Sequence, residues 1–216
     1  MHHHNKIKIP TFAVTLQSKY TYVKNIAIFA SGTGSNARKI VEHFAENPDF
    51  SVKLLVSNRA DAPVLDMAAE NGIATMILSR KLFYESEELL TALQEHDIDL
   101  IALAGFLWLA PPYLVKAYEG RMVNIHPALL PDFGGKGMHG IHVHEAVKAA
   151  GVEKSGITIH FVNEQYDKGG ILFQASCPVS EEDTPQDIAR KVLQLEHRHY
   201  APVLEQLLTN IPKLHS

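Results

Sequence analysis

Short apolar runs recur along the first half of the chain, and each is followed by a segment with a different spacing of apolar residues. The runs lie at residues 25–30, 52–56, 74–78 and 100–104. The segments between them either repeat apolar residues three and four positions apart or are polar, as around residues 84–96, and they predict helices. The last run is apolar throughout, as in a parallel strand covered on both faces. Strands that alternate with helices predict a doubly wound α/β sheet.

The pattern changes in the second half of the chain. Residues 122–125 predict a fifth strand, and we expect the glycine-rich loop after it, residues 127–140, to be mobile and on the surface. Residues 156–162 and 171–179 predict two strands separated only by a glycine-containing turn. Such a pair is antiparallel, so the sequence predicts a mostly parallel sheet with an antiparallel edge added near the C-terminus.

A long helix is predicted at the end of the chain, over residues 184–208. Thr184, with Asp187 three positions later, gives this helix a capping start. The sequence contains no internal repeat and no clear boundary between two domains. We therefore expect a single domain over residues 24–210 and a disordered extension over residues 1–23.

The composition is that of an ordinary globular chain, with 46% hydrophobic and 20% charged residues among 216. A formal net charge of −4 argues against nucleic-acid binding, which needs a concentrated basic face, but it does not exclude one bound phosphate. No stretch reaches the roughly 20 apolar residues that span a bilayer, so we expect no membrane partner.

Cysteine and histidine usage limits the chemistry further. Cys177 is the only cysteine, which excludes an intrachain disulfide framework and is compatible with a reducing, cytoplasmic location. His139, His142 and His144 have no fixed metal-ligand spacing, so no metal site is predicted.

A glycine loop stands between the first predicted strand and the first predicted helix. Its residues are Gly32, Thr33, Gly34, Ser35, Asn36 and Ala37. Glycines let the backbone approach an anion, and a helix N-terminus offers N–H groups and the positive end of its dipole, so we expect phosphate binding here. The loop also fits the loose G-x-G-x-x-A dinucleotide pattern, which makes an NADP-dependent oxidoreductase the competing interpretation. Arg59, near the end of the second strand, could at most suit a 2′-phosphate.

Asn124 and His126 stand two positions apart at the end of the fifth predicted strand. Side chains with this spacing share one face of a strand, and Pro127 cannot continue the strand's hydrogen bonds. Both residues are therefore expected at the carboxyl end of the sheet, where open α/β sheets bind ligands. An amide donor beside an imidazole that titrates near neutral pH suits oxyanion stabilisation and proton transfer.

Of three further residues, two leave alternatives open. Asp167 is either a solvated turn residue or, if its turn folds over His126, a group that raises the pKa of the imidazole and accepts a proton. Trp108, in the apolar segment 103–110, is either a core residue or part of an apolar wall for a flat heterocycle. Glu196 is predicted from its helical position alone to face solvent.

A set of motifs occurs in the same order as in a known family. They are SGTGSN at residues 31–36, SNRADA at 57–62, LAGF at 103–106, NIHPALLP at 124–131, an aspartate turn at Asp167, and QLEH at 194–197. Over about residues 24–208 the chain thereby resembles the glycinamide ribonucleotide formyltransferase family. The resemblance implies a Rossmann-like fold and transfer of a formyl group from 10-formyltetrahydrofolate to the amine of phosphoribosylglycinamide in de novo purine synthesis. It implies no metal and no nicotinamide cofactor.

The resemblance also implies roles for individual residues. The amine would attack the formyl carbon, Asn124 and a protonated His126 would donate to the oxyanion, and Asp167 would support the imidazolium and help to move the amine's proton. Substrate binding, with the loop at the phosphate and the glutamate at the ribose, would involve Gly32, Thr33, Gly34, Ser35, Asn36 and Glu196. The folate would lie against Leu107, Trp108, Leu109, Ala110 and Asn124.

Two departures and two related alternatives accompany this resemblance. Residues 133–141 form a longer segment than the usual family loop, and only Arg80 and Lys81 stand near the position of the family's folate-contacting arginine. A formyltetrahydrofolate deformylase, or another formyltransferase of the same fold, shares the catalytic trio. The non-enzymatic alternative is a module that binds a phosphorylated metabolite. We expect only small-molecule partners and a monomer or homodimer.

Overall fold

The structure, a computed structural model, describes residues 22–212. These residues form seven strands and seven helices. The strands are β1 (Lys24–Phe29), β2 (Phe50–Ser57), β3 (Ala74–Ile77), β4 (Ile98–Leu103), β5 (Met122–His126), β6 (Lys154–Phe161) and β7 (Ile171–Pro178). The helices are α1 (Ser35–Phe44), α2 (Val64–Glu70), α3 (Arg80–Glu85), α4 (Glu88–Glu95), α5 (Pro112–Ala117), α6 (Ile141–Ala149) and α7 (Pro185–Asn210).

All seven strands belong to one sheet, in the order β3-β2-β1-β4-β5-β6-β7. Neighbouring strands from β3 to β5 are parallel, whereas β6 runs antiparallel to both β5 and β7. The chain changes the direction in which it builds the sheet between β1 and β4, and ligands of open α/β sheets bind at the carboxyl ends of the strands at such a point. The predicted doubly wound, mostly parallel sheet with an antiparallel edge is confirmed.

Apolar side chains cover both faces of the sheet. On one face, Ile26 and Ile28 belong to a cluster with buried residues of α1 and α7. On the other face, Ala27 and Phe29 belong to a cluster with buried residues of α4 and α5. Every residue of β4 is buried; the apolar run 100–104 predicts this for Leu100 to Leu103, but not for Asp99, which is buried as well.

Helix α7 is fixed at its start and near its middle. Its first turn is the predicted capping box, in which the Thr184 hydroxyl accepts the N–H of Asp187 and the Asp187 carboxylate accepts the N–H of Thr184. Further along, the buried Tyr200 hydroxyl lies 2.9 Å from the carbonyl oxygen of Leu103 and 3.0 Å from that of Val123. These contacts tie α7 to β4 and β5.

The helical segments after β3 and after β4 differ from the prediction. The helix predicted around residues 84–96 is right for α4 but begins too early: α3 and α4 are separate, because the backbone of Ser86 is extended and its hydroxyl accepts the N–H of Glu88 at the start of α4. Helices α5 and α6 have no counterpart in the prediction. Helix α5 is only six residues long, too short for a clear apolar period.

The loop after β5 also differs from expectation. Residues 127–140 were expected on the surface, but Ala128 and Leu130 are buried. The Thr158 hydroxyl of β6 accepts the N–H of Leu130 and donates to the carbonyl oxygen of Ala128, so both backbone groups are satisfied inside the protein. The surface expectation is therefore wrong for the first part of this loop.

The expected extension over residues 1–23 lies outside the described residues, except for its last two positions. Tyr22 donates from its hydroxyl to Asp99, at 3.3 Å. Both the extension and the single domain over residues 24–210 stay predictions. Within residues 22–212, no helix combines the length and the apolar character needed to cross a membrane.

Candidate active site

A cavity of about 750 Å³ opens at the carboxyl ends of β4 and β5. Segments that follow β1, β4 and β5 line it, together with parts of α6, α7 and the connection between β6 and β7. The predicted site residues on its wall are Asn36, Leu107, Trp108, Leu109, Ala110, Asn124, His126, Asp167 and Glu196. Four predicted site residues do not line the cavity: Gly32, Thr33, Gly34 and Ser35. The first three form the turn before α1, and Ser35 is the first residue of α1, next to Asn36.

Three polar side chains meet on one wall of this cavity. Asn124 and His126 come from β5, and Asp167 comes from the connection between β6 and β7. The His126 Nδ1 lies 3.6 Å from Oδ2 of Asp167, and the Asn124 Nδ2 lies 3.5 Å from Oδ1 of the same carboxylate. The side chain of Asp167 is only 10% exposed, so it folds over His126 and is not a solvated turn residue.

The surroundings of His126 assign its protons. Its Nε2 lies 2.8 Å from the carbonyl oxygen of Phe133, which can only accept, so Nε2 carries a proton and donates it. In the neutral imidazole the other nitrogen, Nδ1, is then bare and faces Asp167. A proton taken up by this ring enters at Nδ1, between the carboxylate and the cavity.

Burial and charge act in opposite directions on the two titratable groups. Burial lowers the pKa of His126 below its ordinary 6.5, although Asp167 and the Phe133 carbonyl act to raise it. The expectation that Asp167 raises the pKa of the imidazole is right for that one contribution, but the net shift is downward. Burial acts to raise the pKa of Asp167, but contacts with His160, Gly135 and His126 outweigh it and bring the pKa below 3.8. At neutral pH the site therefore holds a neutral imidazole beside an ionised carboxylate.

The segment Phe133 to Gly135 contacts both members of this pair. Phe133, with a positive φ of 55°, offers its carbonyl to His126, and the N–H of Gly135 donates to Oδ2 of Asp167 at 2.8 Å. A Cβ added to Gly134 would lie 2.5 Å from Cδ2 of Leu130 and 3.3 Å from Cβ of Asp167. A glycine at this position thus lets the loop approach the carboxylate.

Asn36 and Glu196 form a second polar part of the cavity. The Asn36 Nδ2 donates to Oε2 of Glu196 at 2.8 Å, which joins the first turn of α1 to α7. Glu196 is 8% exposed, so the prediction that it faces solvent is wrong: α7 packs this side against α1. Burial raises the pKa of Glu196, and the hydrogen bond from Asn36 acts against it.

The N-terminus of α1 lies next to this polar part. Gly34 is the N-cap residue and has no side chain with which to bond the first N–H groups of the helix. These groups and the helix dipole are available to an anion. Arg59, the basis of the competing NADP interpretation, instead forms a salt bridge of 2.9 Å with Asp61.

The segment after β4 forms an apolar part of the wall. Trp108 packs against Phe83, with ring centroids 5.6 Å apart, and also lines the cavity. Its role as a wall for a flat heterocycle stays a prediction. The Arg80 guanidinium lies over the Trp108 ring, 5.1 Å from its centroid. The N–H of Leu107 donates to the Ser31 hydroxyl at 3.1 Å, which fixes the start of this segment against the glycine loop.

Two buried histidines on the cavity wall have no predicted role. His144 and His160 both line the cavity, and the sequence pattern assigns neither of them to the catalytic or binding residues. The register of β5 and β6, which pairs Asn124 with His160, would have revealed the second, but register is not readable from either strand alone. Among residues 22–212, no group of three or more His, Cys, Asp or Glu side chains is placed to hold a metal ion.

The doubly wound sheet with a polar cluster at its carboxyl edge is the arrangement of an α/β enzyme. The family described as Formyl transferase matches residues 24–204. The chain therefore belongs to the formyl transferase family, as the motifs predict.

Known relatives agree with this assignment. The chain is 44% identical over 187 residues to the chloroplastic phosphoribosylglycinamide formyltransferase of Arabidopsis thaliana, with 84% of this chain and 64% of that protein covered. It is 38% identical over 191 residues to the phosphoribosylglycinamide formyltransferase of Bacillus subtilis, with 86% and 95% covered. The chain thus spans just under two thirds of the plant protein and nearly all of the bacterial one.

Solved structures of similar proteins have the same fold. The phosphoribosylglycinamide formyltransferase of Anaplasma phagocytophilum superposes with a TM-score of 0.80 at 34% identity, over 87% of each chain. That of Bacillus halodurans gives a TM-score of 0.77 at 38% identity, over 87% of this chain and 96% of the other.

Proposed function

We propose that the protein transfers a formyl group from 10-formyltetrahydrofolate to the amine of phosphoribosylglycinamide, a step of de novo purine synthesis. The observation that carries the proposal is the meeting of Asn124, His126 and Asp167 on the wall of one cavity. The same cavity is lined by polar side chains next to the N-terminus of α1 and by the apolar segment after β4. These surroundings suit a phosphorylated substrate and a flat heterocycle.

The phosphorylated substrate is assigned to the start of α1. The loop of Gly32, Thr33, Gly34 and Ser35 places the backbone N–H groups of this helix near the substrate phosphate. Glu196, buried and held by Asn36, accepts hydrogen bonds from the ribose hydroxyls.

The folate is assigned to the segment after β4. Leu107 and Trp108 offer apolar surface to the pterin, and Leu109 is fixed by the Tyr84 hydroxyl, which donates to its carbonyl oxygen at 3.2 Å. Arg80, held over Trp108, is the arginine that we assign to a carboxylate of the folate.

The protonation states of His126 and Asp167 suit an amine substrate. An α-amino group has a pKa of about 7.7–8.0, so it arrives at neutral pH mostly as an ammonium ion. In the free protein the Nδ1 of His126 is bare and faces the ionised Asp167. Transfer of one proton from the ammonium to this nitrogen yields both a neutral nucleophile and an imidazolium, which is stabilised by the carboxylate.

The amine nitrogen then attacks the formyl carbon, and the carbonyl electron pair becomes an oxyanion. The Asn124 amide and the Nδ1–H of His126 donate to this oxyanion. The nitrogen that attacked gives up its remaining extra proton, through Asp167, to the folate nitrogen. The bond between that nitrogen and the formyl carbon breaks, tetrahydrofolate leaves with the electron pair and the proton, and His126 releases its own proton to solvent.

A deformylase is the second candidate, since water could replace the amine at the same trio. The Asn36–Glu196 pair favours the transferase, because hydrolysis needs no polar site for a ribose. Several expectations stay predictions: small-molecule partners alone, no nucleic-acid, membrane, metal or nicotinamide partner, a monomer or homodimer, and a cytoplasmic location. The plant relative is a chloroplastic protein.

The test is a two-substrate assay that follows the absorbance change when tetrahydrofolate forms. Asn124→Ala and His126→Ala are each expected to lower kcat by about 10²–10³-fold. The matched controls are Asn47→Ala and His43→Ala, two residues that contact Glu205 at the surface, and both are expected to keep the wild-type rate. Formyl loss without the amine would identify a deformylase, and saturable NADPH binding without any folate response would favour the oxidoreductase.

A further inference from the structure

A buried histidine with no step in the proposed reaction contacts two of the groups that have one. His160 of β6 pairs directly with Asn124 of β5 and is 2% exposed. Its Nδ1 lies 2.8 Å from the carbonyl oxygen of Phe161. Its Nε2 lies 3.2 Å from Nδ2 of Asn124 and 3.5 Å from Oδ1 of Asp167.

These contacts fix the orientation of the Asn124 amide. The amide atom nearest to His160 is also 3.5 Å from the Asp167 carboxylate, so it must be the nitrogen, because an oxygen there would be repelled. A nitrogen that donates to His160 needs a bare Nε2 as its acceptor. The Phe161 carbonyl holds the proton of the neutral ring at Nδ1, which leaves Nε2 bare, and only the protonated ring can donate from Nε2 to Asp167.

The amide of Asn124 has two N–H groups, and each of them faces a different acceptor. One donates to His160, and the other points towards the carboxylate at the long distance of 3.5 Å. A contact this long is weak and can be exchanged for a better acceptor. Without the ring, the amide could rotate by half a turn and present its oxygen to a developing oxyanion, which would repel it.

We infer that His160 is a positioning residue for formyl transfer: by accepting one N–H of Asn124, it directs the other N–H to the formyl oxygen. This inference rests on the proposed function. The experiments must therefore be able to contradict the role of His160 without contradicting formyl transfer, and the reverse. His160 takes no step in the proposed reaction, so we expect its effect to run through Asn124, and the double-mutant cycle below separates this route from its contact with Asp167.

The test compares two amides of different length at this position. His160→Gln keeps an acceptor that can reach Asn124, whereas His160→Asn carries the same amide one methylene shorter. His160→Asn is expected to lower kcat by about 10²-fold, the cost of a misplaced donor, with KM changed by no more than about threefold. His160→Gln is expected to recover most of that loss. The control is Ser155→Ala, in the same strand, where a buried hydroxyl has no hydrogen-bond partner within residues 22–212.

A double-mutant cycle separates positioning from general damage. In the Asn124→Ala background, His160→Asn is expected to cause no further loss, because the group it orients is gone. Equal losses in both backgrounds, or wild-type kcat in His160→Asn, would overturn the inference. If His160→Asn does not fold, His160→Gln is compared in the wild-type and Asn124→Ala backgrounds instead. Any loss of kcat that His160→Gln causes in the wild type must then be absent in Asn124→Ala.

A measurement without turnover keeps the two proposals distinguishable. The side-chain amide signal of Asn124 is identified in a ¹H–¹⁵N spectrum by its absence from Asn124→Ala. It is expected to move in His160→Asn and to stay in Ser155→Ala; an unmoved signal contradicts the positioning role. If the wild type is inactive but this signal responds as expected, the proposal of formyl transfer is overturned, whereas the contact between His160 and Asn124 is supported.

Discussion

The Nδ1 of His126 lies 3.6 Å from Oδ2 of Asp167, and the two side chains are 3% and 10% exposed. A carboxylate this close favours the protonated imidazole, whereas burial disfavours it more strongly. The pair is consequently poised to receive a proton from the substrate rather than to hold one beforehand. The pH dependence of the reaction follows from this state.

The pH profile of kcat/KM is expected to be bell-shaped. At low pH His126 is already protonated in the free protein and cannot take the amine's proton, and because its pKa is lowered, the acidic limb should have its midpoint below 6.5. At high pH the substrate amine has lost its proton, so the basic limb should follow the amine pKa of about 7.7–8.0. Initial rates at low concentrations of both substrates measure the two limbs. An acidic limb above 6.5 would contradict the resting state described here.

Asp167→Asn tests the role of the carboxylate in that profile. The substitution removes the charge that raises the pKa of His126, so the acidic limb should move to still lower pH. It also removes the group that stabilises the imidazolium and moves the amine's proton, so kcat should fall by about 10²–10⁴-fold. A limb that moves to higher pH would show that another group titrates there. Asp61→Asn, an exposed carboxylate that pairs with Arg59, is the control for charge removal.

Glu196→Ala is expected to affect substrate binding more than the chemical step. Loss of a charged acceptor for the ribose hydroxyls should raise KM for phosphoribosylglycinamide by about 10-fold to 100-fold, because charge-assisted hydrogen bonds are worth about 1.5–3 kcal/mol. An interaction made equally in the ground and transition states leaves kcat nearly unchanged. The control is Glu205→Ala, on the same helix but paired with His43 at the surface, and steady-state kinetics at saturating folate measure both. A fall in kcat with constant KM would place Glu196 in the chemical step instead.

Gly134→Ala tests the loop that contacts both catalytic side chains. The new Cβ would meet Cδ2 of Leu130 at 2.5 Å, so the loop must shift away from Asp167. A displacement near 1 Å is expected to lower kcat by about 10²-fold. Adding Leu130→Val, which removes the δ carbons, should recover part of this rate, and thermal melts follow stability alongside. Losses that simply add would show that the contact is not the cause.

The sequence predicts those parts of the fold and site that depend on one element. The alternation along β5 placed Asn124 and His126 on one face, and the apolar run of β4 indicated burial on both faces. Asp167 comes from 43 positions beyond Asn124, so its contact depends on how the strand connection folds, which no local pattern encodes. Glu196 looked solvated for the same reason: its partner, Asn36, is 160 positions away in another helix.

Gly34→Ala, compared with Gly32→Ala, tests why the loop before α1 needs its second glycine. Gly34 has a φ of +74°, and a Cβ there would lie 2.2 Å from Cγ2 of Val64, whereas a Cβ on Gly32 would have no non-neighbouring atom of the described part of the chain within 4 Å. The left-handed backbone costs about 1–2 kcal/mol and overpacking about 1–3 kcal/mol, so the free energy of unfolding of Gly34→Ala should fall by at least about 2 kcal/mol. Gly32→Ala should stay within about 0.5 kcal/mol of the wild type. Urea unfolding followed by circular dichroism measures both. Equal losses in the two variants would mean that glycine is needed there for backbone freedom in general, and not for the close approach of α1 to α2.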